Sequence, residues 1–142
     1  MATEILVNDG GAPARIMNLG SAGAAIEAGM FVDINSSGNI VAATDDQEAS
    51  ASGEKVALGV LLVDAVSGDP TSIVTGKGIV CNVQAAEALA TIGTEVTLDN
   101  AGKVEATADA DAHRAVGITL AASFTGADSS GNDTTFVKVL LL

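Results

Sequence analysis

Aromatic residues are almost missing from this sequence: 142 residues include three phenylalanines (Phe31, Phe124 and Phe136), no tryptophan and no tyrosine. A core without them must be built from Val, Ile, Leu and Ala, and a site that depends on aromatic platforms, such as a base-stacking nucleic-acid binder, is disfavoured. Basic residues are scarce as well. Six face eighteen acidic ones, and the resulting net charge of −12 opposes binding to a phosphate backbone. A single cysteine, Cys81, excludes an internal disulfide framework. The longest strongly apolar run, Val56–Val63, stops at Asp64, well short of the roughly 20 residues a membrane-spanning helix needs. Residues 1–9 have neither the basic nor the long apolar region of a secretory signal. The expectation is a soluble protein made in a cytoplasm, or one leaving it by a route other than Sec export.

What remains is plentiful in small and aliphatic side chains. Hydrophobic residues make up 48%, too many for an acidic disordered chain, and the length fits one domain. Sixteen glycines and two prolines cut the sequence into short runs rich in Val, Ile, Thr and Leu, which read as strands joined by turns. Met30–Asn35 turns at residues 36–39 into Ile40–Ala43. Ile79, Cys81 and Val83 share one face of a strand; Val116, Ile118 and Leu120 share another, as do Val137, Val139 and Leu141. The one helix-like stretch, Ala85–Thr91, is too short to stand alone. The class is all-β. Thr44–Gly53 and Thr125–Asp133 read as exposed polar loops, and Met1–Ala28 as an N-terminal arm ahead of a single β domain over 29–142.

An internal repeat organises that domain. Residues 29–42 (GMFVDINSSGNIVA) and 93–106 (GTEVTLDNAGKVEA) share a glycine, a strand, an Asn/Asp turn with Gly38 or Gly102, and a returning strand. Such spacing makes a β-hairpin. Each is followed by a second shared segment, VALGVLL from Val56 and RAVGITL from Arg114, so the pseudo-repeats cover about 29–66 and 93–123. The first copy carries about six extra residues, most simply within Thr44–Gly53. Chance likeness among Gly- and Val-rich strands is the competing explanation.

Residues able to do chemistry are few. His113, the only histidine, follows Asp109 and Asp111 and could be a general base held by Asp111; the residue types favour a histidine on an acidic surface instead. Cys81 lies on an apolar strand face, the setting of an inert thiol. One Cys and one His cannot supply a zinc site. Asp128–Asp133 spaces oxygens in the manner of a calcium loop, but Asp133 stands where Gly is needed and Val139 where the closing Glu is needed. Gly76-Lys77-Gly78 lacks the spacing and the Ser/Thr of a phosphate loop. The expectation is no enzyme, no metal and no cofactor.

The order of elements carries a resemblance. Ala28-Gly29-Met-Phe-Val, Ser37-Gly38-Asn39-Ile40-Val41, Val56-Ala57-Leu58-Gly59-Val60, Ile79-Val-Cys-Asn-Val, Gly93-Thr94-Glu95-Val96, Ala101-Gly102-Lys103-Val104, Ala115-Val116-Gly117-Ile118-Thr119-Leu120 and the closing Phe136-Val-Lys-Val-Leu-Leu-Leu follow one another over most of the chain. This pattern resembles the capsid cement, or head decoration, proteins of tailed viruses. The resemblance implies a small β-barrel or β-tulip subunit with an extended N-terminal arm. It implies a homotrimer bound to the capsid exterior of a virion, bridging neighbouring major capsid protein subunits and stabilising the expanded shell. It brings no active site. The arm's part in shell contact would fall on Thr3–Leu19, with Ile5, Val7, Arg15, Ile16 and Leu19 as the contact residues. No nucleic acid and no membrane are expected as partners. The alternative is a tail or surface receptor-binding module presenting the loops Thr44–Gly53 and Thr125–Asp133.

Overall fold

The computed structural model describes residues 2–8, 15–44, 56–107 and 115–142. The described residues form twelve strands and no helix: β1 (Leu6–Asn8), β2 (Arg15–Met17), β3 (Phe31–Ile34), β4 (Ile40–Ala42), β5 (Gly59–Leu61), β6 (Ile73–Thr75), β7 (Val80–Gln84), β8 (Glu95–Leu98), β9 (Val104–Ala106), β10 (Gly117–Thr119), β11 (Phe124–Ala127) and β12 (Asp133–Leu141). They build two antiparallel sheets. The smaller runs β2-β6-β5-β3-β4; the larger runs β1-β7-β12-β10-β8-β9, with β11 also pairing β12. The result is an all-β, barrel-like domain in which neither sheet closes completely.

The two sheets are copies of one five-stranded unit. Strands β2-β6-β5-β3-β4 correspond in order to β7-β12-β10-β8-β9. The registers agree pair by pair: Val32↔Ala42 and Ile34↔Ile40 match Val96↔Ala106 and Leu98↔Val104, while Phe31↔Val60 matches Glu95↔Ile118. At the first strand, Ile16↔Val74 and Met17↔Ile73 match Val80↔Leu140 and Cys81↔Val139. Each unit curls until its hairpin touches the chain behind its first strand, through one parallel bridge, Ala22↔Ile40 or Ala85↔Val104. The repeat seen in the sequence at 29–66 and 93–123 therefore extends to about 15–75 and 79–141. β4 and β5 are separated by residues 43–58 and β9 and β10 by residues 107–116, six more in the first copy; Thr44–Gly53, the stretch expected to hold them, lies beyond Thr44 outside the described residues.

The same turn is used three times. The side-chain oxygen of Asn35 accepts the backbone N–H groups of Ser37 and Asn39; that of Asp99 accepts those of Ala101 and Lys103; that of Asp128 accepts those of Ser130 and Asn132. Gly38, Gly102 and Gly131 hold φ of +82°, +74° and +83° three residues after each Asx residue, a conformation that glycine adopts without steric cost. The third turn corrects the sequence reading of Thr125–Asp133 as a loop. It is a hairpin inserted between β10 and the end of β12, with Phe124 and Phe136 stacked at 6.0 Å between ring centroids.

One apolar cluster fills the first unit (Ala22, Ile26, Val32, Ile40, Leu61, Ala65 and Ile73), and a larger one fills the second and its contact with the first. Val137, Val139 and Leu141 are buried together, as are Ile79, Cys81 and Val83. On β10 the expected face is only partly internal. Val116 is buried but Leu120 is 41% exposed, and Thr119 takes the inner place, its hydroxyl donating to the Thr91 carbonyl at 2.9 Å and accepting from Thr94 N–H at 3.1 Å. Ala85–Thr91 forms no helix; it sends Leu89 into the core and Ala85 into the bridge with Val104.

Residues 2–8 and 15–28 do not stand apart from the domain. β1 pairs with β7 and β2 with β6, each at the outer edge of its sheet. The chain then returns through Ile26, whose backbone exchanges hydrogen bonds with Ala65.

Candidate functional site

Of the five residues expected to touch a partner, Ile5 departs from the expectation. It is 5% exposed, its carbonyl accepts the Asn82 N–H at 2.8 Å, and it belongs to the larger core cluster. It holds β1 in place and presents nothing to an outside surface. Val7 and Ile16 are 40% and 50% exposed, Arg15 is exposed, and Leu19 is half-buried against the core of the first unit. Arg15 and Ile16 stand side by side on β2, while Val7 lies on the edge strand of the other sheet, so the structure does not bring the set together as one patch.

Among the described residues β2 is an edge strand paired only with β6, and the hydrogen-bond alternation shows which of its groups are offered. Leu62 N–H donates to Ser72 O, so the backbone groups of Val74 face β5 while those of Ile73 and Thr75 face β2. Arg15 and Met17 therefore bond to β6, and the N–H and C=O of Ile16 point away from the sheet. Met17, 45% exposed, adds a second apolar side chain that sequence reading passed over; its sulfur accepts the Thr75 hydroxyl at 3.9 Å.

Described residues line two concavities on the surface. The larger, about 530 Å³, lies in the second unit between Glu87, Leu89, Thr91, Thr94, Glu95 and Thr107. Its polar groups are committed in part to the fold: Glu87 accepts the Ala106 N–H at 3.0 Å, and the Thr107 hydroxyl donates to the Glu95 carbonyl at 3.2 Å. The smaller, about 200 Å³, is a cleft among Phe31, Leu58, Lys77, Val116, Leu141 and Leu142.

Among the described residues the chemistry-bearing side chains are not assembled. Cys81 is fully buried, and burial pushes its thiol up to about 11, so the reactive thiolate is suppressed. His113, Asp109 and Asp111 lie outside the described residues. Among the described residues no three His, Cys, Asp or Glu side chains gather in a way that could hold a metal ion. Asp128, the first oxygen of the calcium-like spacing, spends its carboxylate on its own turn. Its neighbour Ser129 donates to Asp64 Oδ1 at 3.0 Å, and the same oxygen accepts the Ala28 N–H at 2.7 Å. The inserted hairpin is thereby tied to the first unit.

One buried polar residue escaped the sequence reading. Gln84 is fully enclosed, and its Nε2 donates to Glu27 Oε2 and to the Ala28 carbonyl, both at 3.0 Å. Strand alternation places Gln84 opposite Val83, on the face with Asn82, which looks solvent-facing in sequence. Ile5 and Phe136 cover it in the fold, both lying beside Gly29 with the Gln84 side chain. The joint between units is thus partly polar.

No protein-family model and no curated protein matches the chain.

Proposed function

We propose that the chain is a structural protein of a virion, a cement subunit that binds the exterior of an icosahedral capsid and bridges neighbouring major capsid protein subunits. The observation that carries this reading is the agreement between the order of elements that resembles cement proteins and an all-β domain whose exposed edge strand β2 offers Arg15, Ile16 and Met17. A β-domain with a fully committed core and no assembled catalytic group among its described residues suits a role that is energetic rather than chemical.

The mechanism is linkage. A subunit that binds only the assembled, expanded shell stabilises that state by mass action. Trimerisation multiplies each contact, so individually weak edges give tight avidity. The −12 charge suits an outer position, facing solvent and away from packaged nucleic acid. Because Ile5 is committed to the core, the contact set reduces to Val7, Arg15, Ile16 and Leu19, with Met17 added.

The test is co-sedimentation of the purified protein with expanded capsids and with unexpanded ones. Saturable binding to the expanded shell, reduced by Arg15→Glu together with Ile16→Asp, supports the reading. Absence of binding to either overturns it.

A further inference from the structure

The duplication shows what is missing from β2. Ile16 and Asn18 of the first unit correspond to Val80 and Asn82 of the second, since Ile16↔Val74 and Val80↔Leu140 occupy the same register. In the second unit those outward groups are taken. Leu141 N–H donates to Ile79 O, so Cys81 faces β12 and Val80 and Asn82 face β1; Asn82 N–H donates to Ile5 O at 2.8 Å, and its side-chain amide donates to Glu4 O at 2.8 Å. β1 is a sixth strand laid on the unit's edge. Among the described residues the first unit has no such strand, and Ile16 and Met17 are 50% and 45% exposed where their counterparts Val80 and Cys81 are half-buried and fully buried.

We propose that the outer edge of β2 is a strand-acceptor site, which takes an extended segment of another protein by β-augmentation in the way β7 takes β1. The occupant is antiparallel to β2, aliphatic at its centre and acidic at the end that meets Arg15, as Thr3–Asp9 (TEILVND), which closes on Asp9, is. Main-chain hydrogen bonds to Ile16 and Asn18 supply affinity, and alternate side chains supply selectivity. The charge preference follows from Arg15 at the start of β2 and Lys77 two residues beyond its partner Thr75, two of only six basic residues in the chain. The site stands whether or not the partner is a capsid protein.

The probe is an acetylated, amidated peptide of residues 3–9, added to the full-length isotope-labelled protein and followed by amide chemical shifts and hydrogen exchange. The expected result is saturable shifts confined to Arg15–Asn18 and the facing β6, with the Ile16 amide gaining protection. Ile16→Pro removes an outward N–H that β6 does not use, so the edge tolerates it. That variant keeps its circular dichroism spectrum and loses at least about tenfold in affinity, and a peptide carrying Asp9→Lys loses a similar factor. Four results overturn the proposal: no saturable shift, shifts centred on Val80–Asn82 because the peptide displaces β1, unchanged affinity in Ile16→Pro, or protection of Ile16 by self-association without peptide.

Discussion

Leu98 and Ile34 occupy the same place in the two copies of the folding unit, yet Leu98 is 1% exposed and Ile34 is 42% exposed. The difference comes from how the copies meet. The turn of the second hairpin lies against the first unit, where the Gly102 carbonyl accepts the Phe31 N–H at 2.8 Å, and Leu98 and Phe31 belong to one buried cluster. A Cβ at Gly102 would approach the Phe31 carbonyl to 2.6 Å, so a small residue is required there. The equivalent turn of the first unit faces open space at Gly38. Leu98→Ala is expected to cost about 2–4 kcal/mol by urea denaturation and Ile34→Ala within about 0.5 kcal/mol of neutral.

The Asx turns give a second prediction. Asp99 satisfies two backbone N–H groups at 2.8 and 2.9 Å, and Asn35 two at 3.0 and 2.9 Å. Alanine at either position leaves both donors to solvent and costs about 1–2 kcal/mol, whereas exchanging Asn and Asp at these sites is nearly neutral. Denaturation midpoints of the four variants check this.

Burial of Cys81 has a pH consequence. Its thiol is raised to about 11 in the folded protein, so the native state holds the proton more tightly than the unfolded one. The stabilisation is complete below the ordinary thiol range and is lost as pH rises from about 9 toward 11. The native protein is expected to resist a thiol reagent at pH 8 and to react with one equivalent once denatured. Cys81→Ala should flatten the alkaline loss of stability relative to the parent.

The N-terminal strand is structural. Removing residues 1–8 takes Ile5 from the core and strips β7 of its neighbour, exposing the N–H of Asn82. Ile5→Ala alone is expected to cost about 2–4 kcal/mol. The truncated protein is expected to melt markedly lower, a loss visible by calorimetry before any binding is measured.

Much of this was legible in the sequence. Period-2 alternation in Ile79, Cys81 and Val83 marked a buried strand face, and the Gly–Asx spacing of the two hairpins located the duplication. The larger extent of the repeat was hidden because β2 and β7 share a place in the sheet but little sequence: Ile16 and Met17 answer Val80 and Cys81. Sequence periodicity carries no information on which exposed-looking segment docks at an edge, so Ile5 and Gln84 looked free until β1 and β7 were paired. The third turn at Asp128 was obscured by its acidic composition, which reads equally as a cation loop.

The proposed role as a cement on the capsid exterior is tested most directly by counting copies on the particle. Cryo-electron microscopy of purified virions is expected to show the domain at symmetric positions over the whole outer shell, with its β2 edge toward the capsid surface. A few copies at a single vertex, as for a tail or receptor-binding module, or none on the particle, would contradict it.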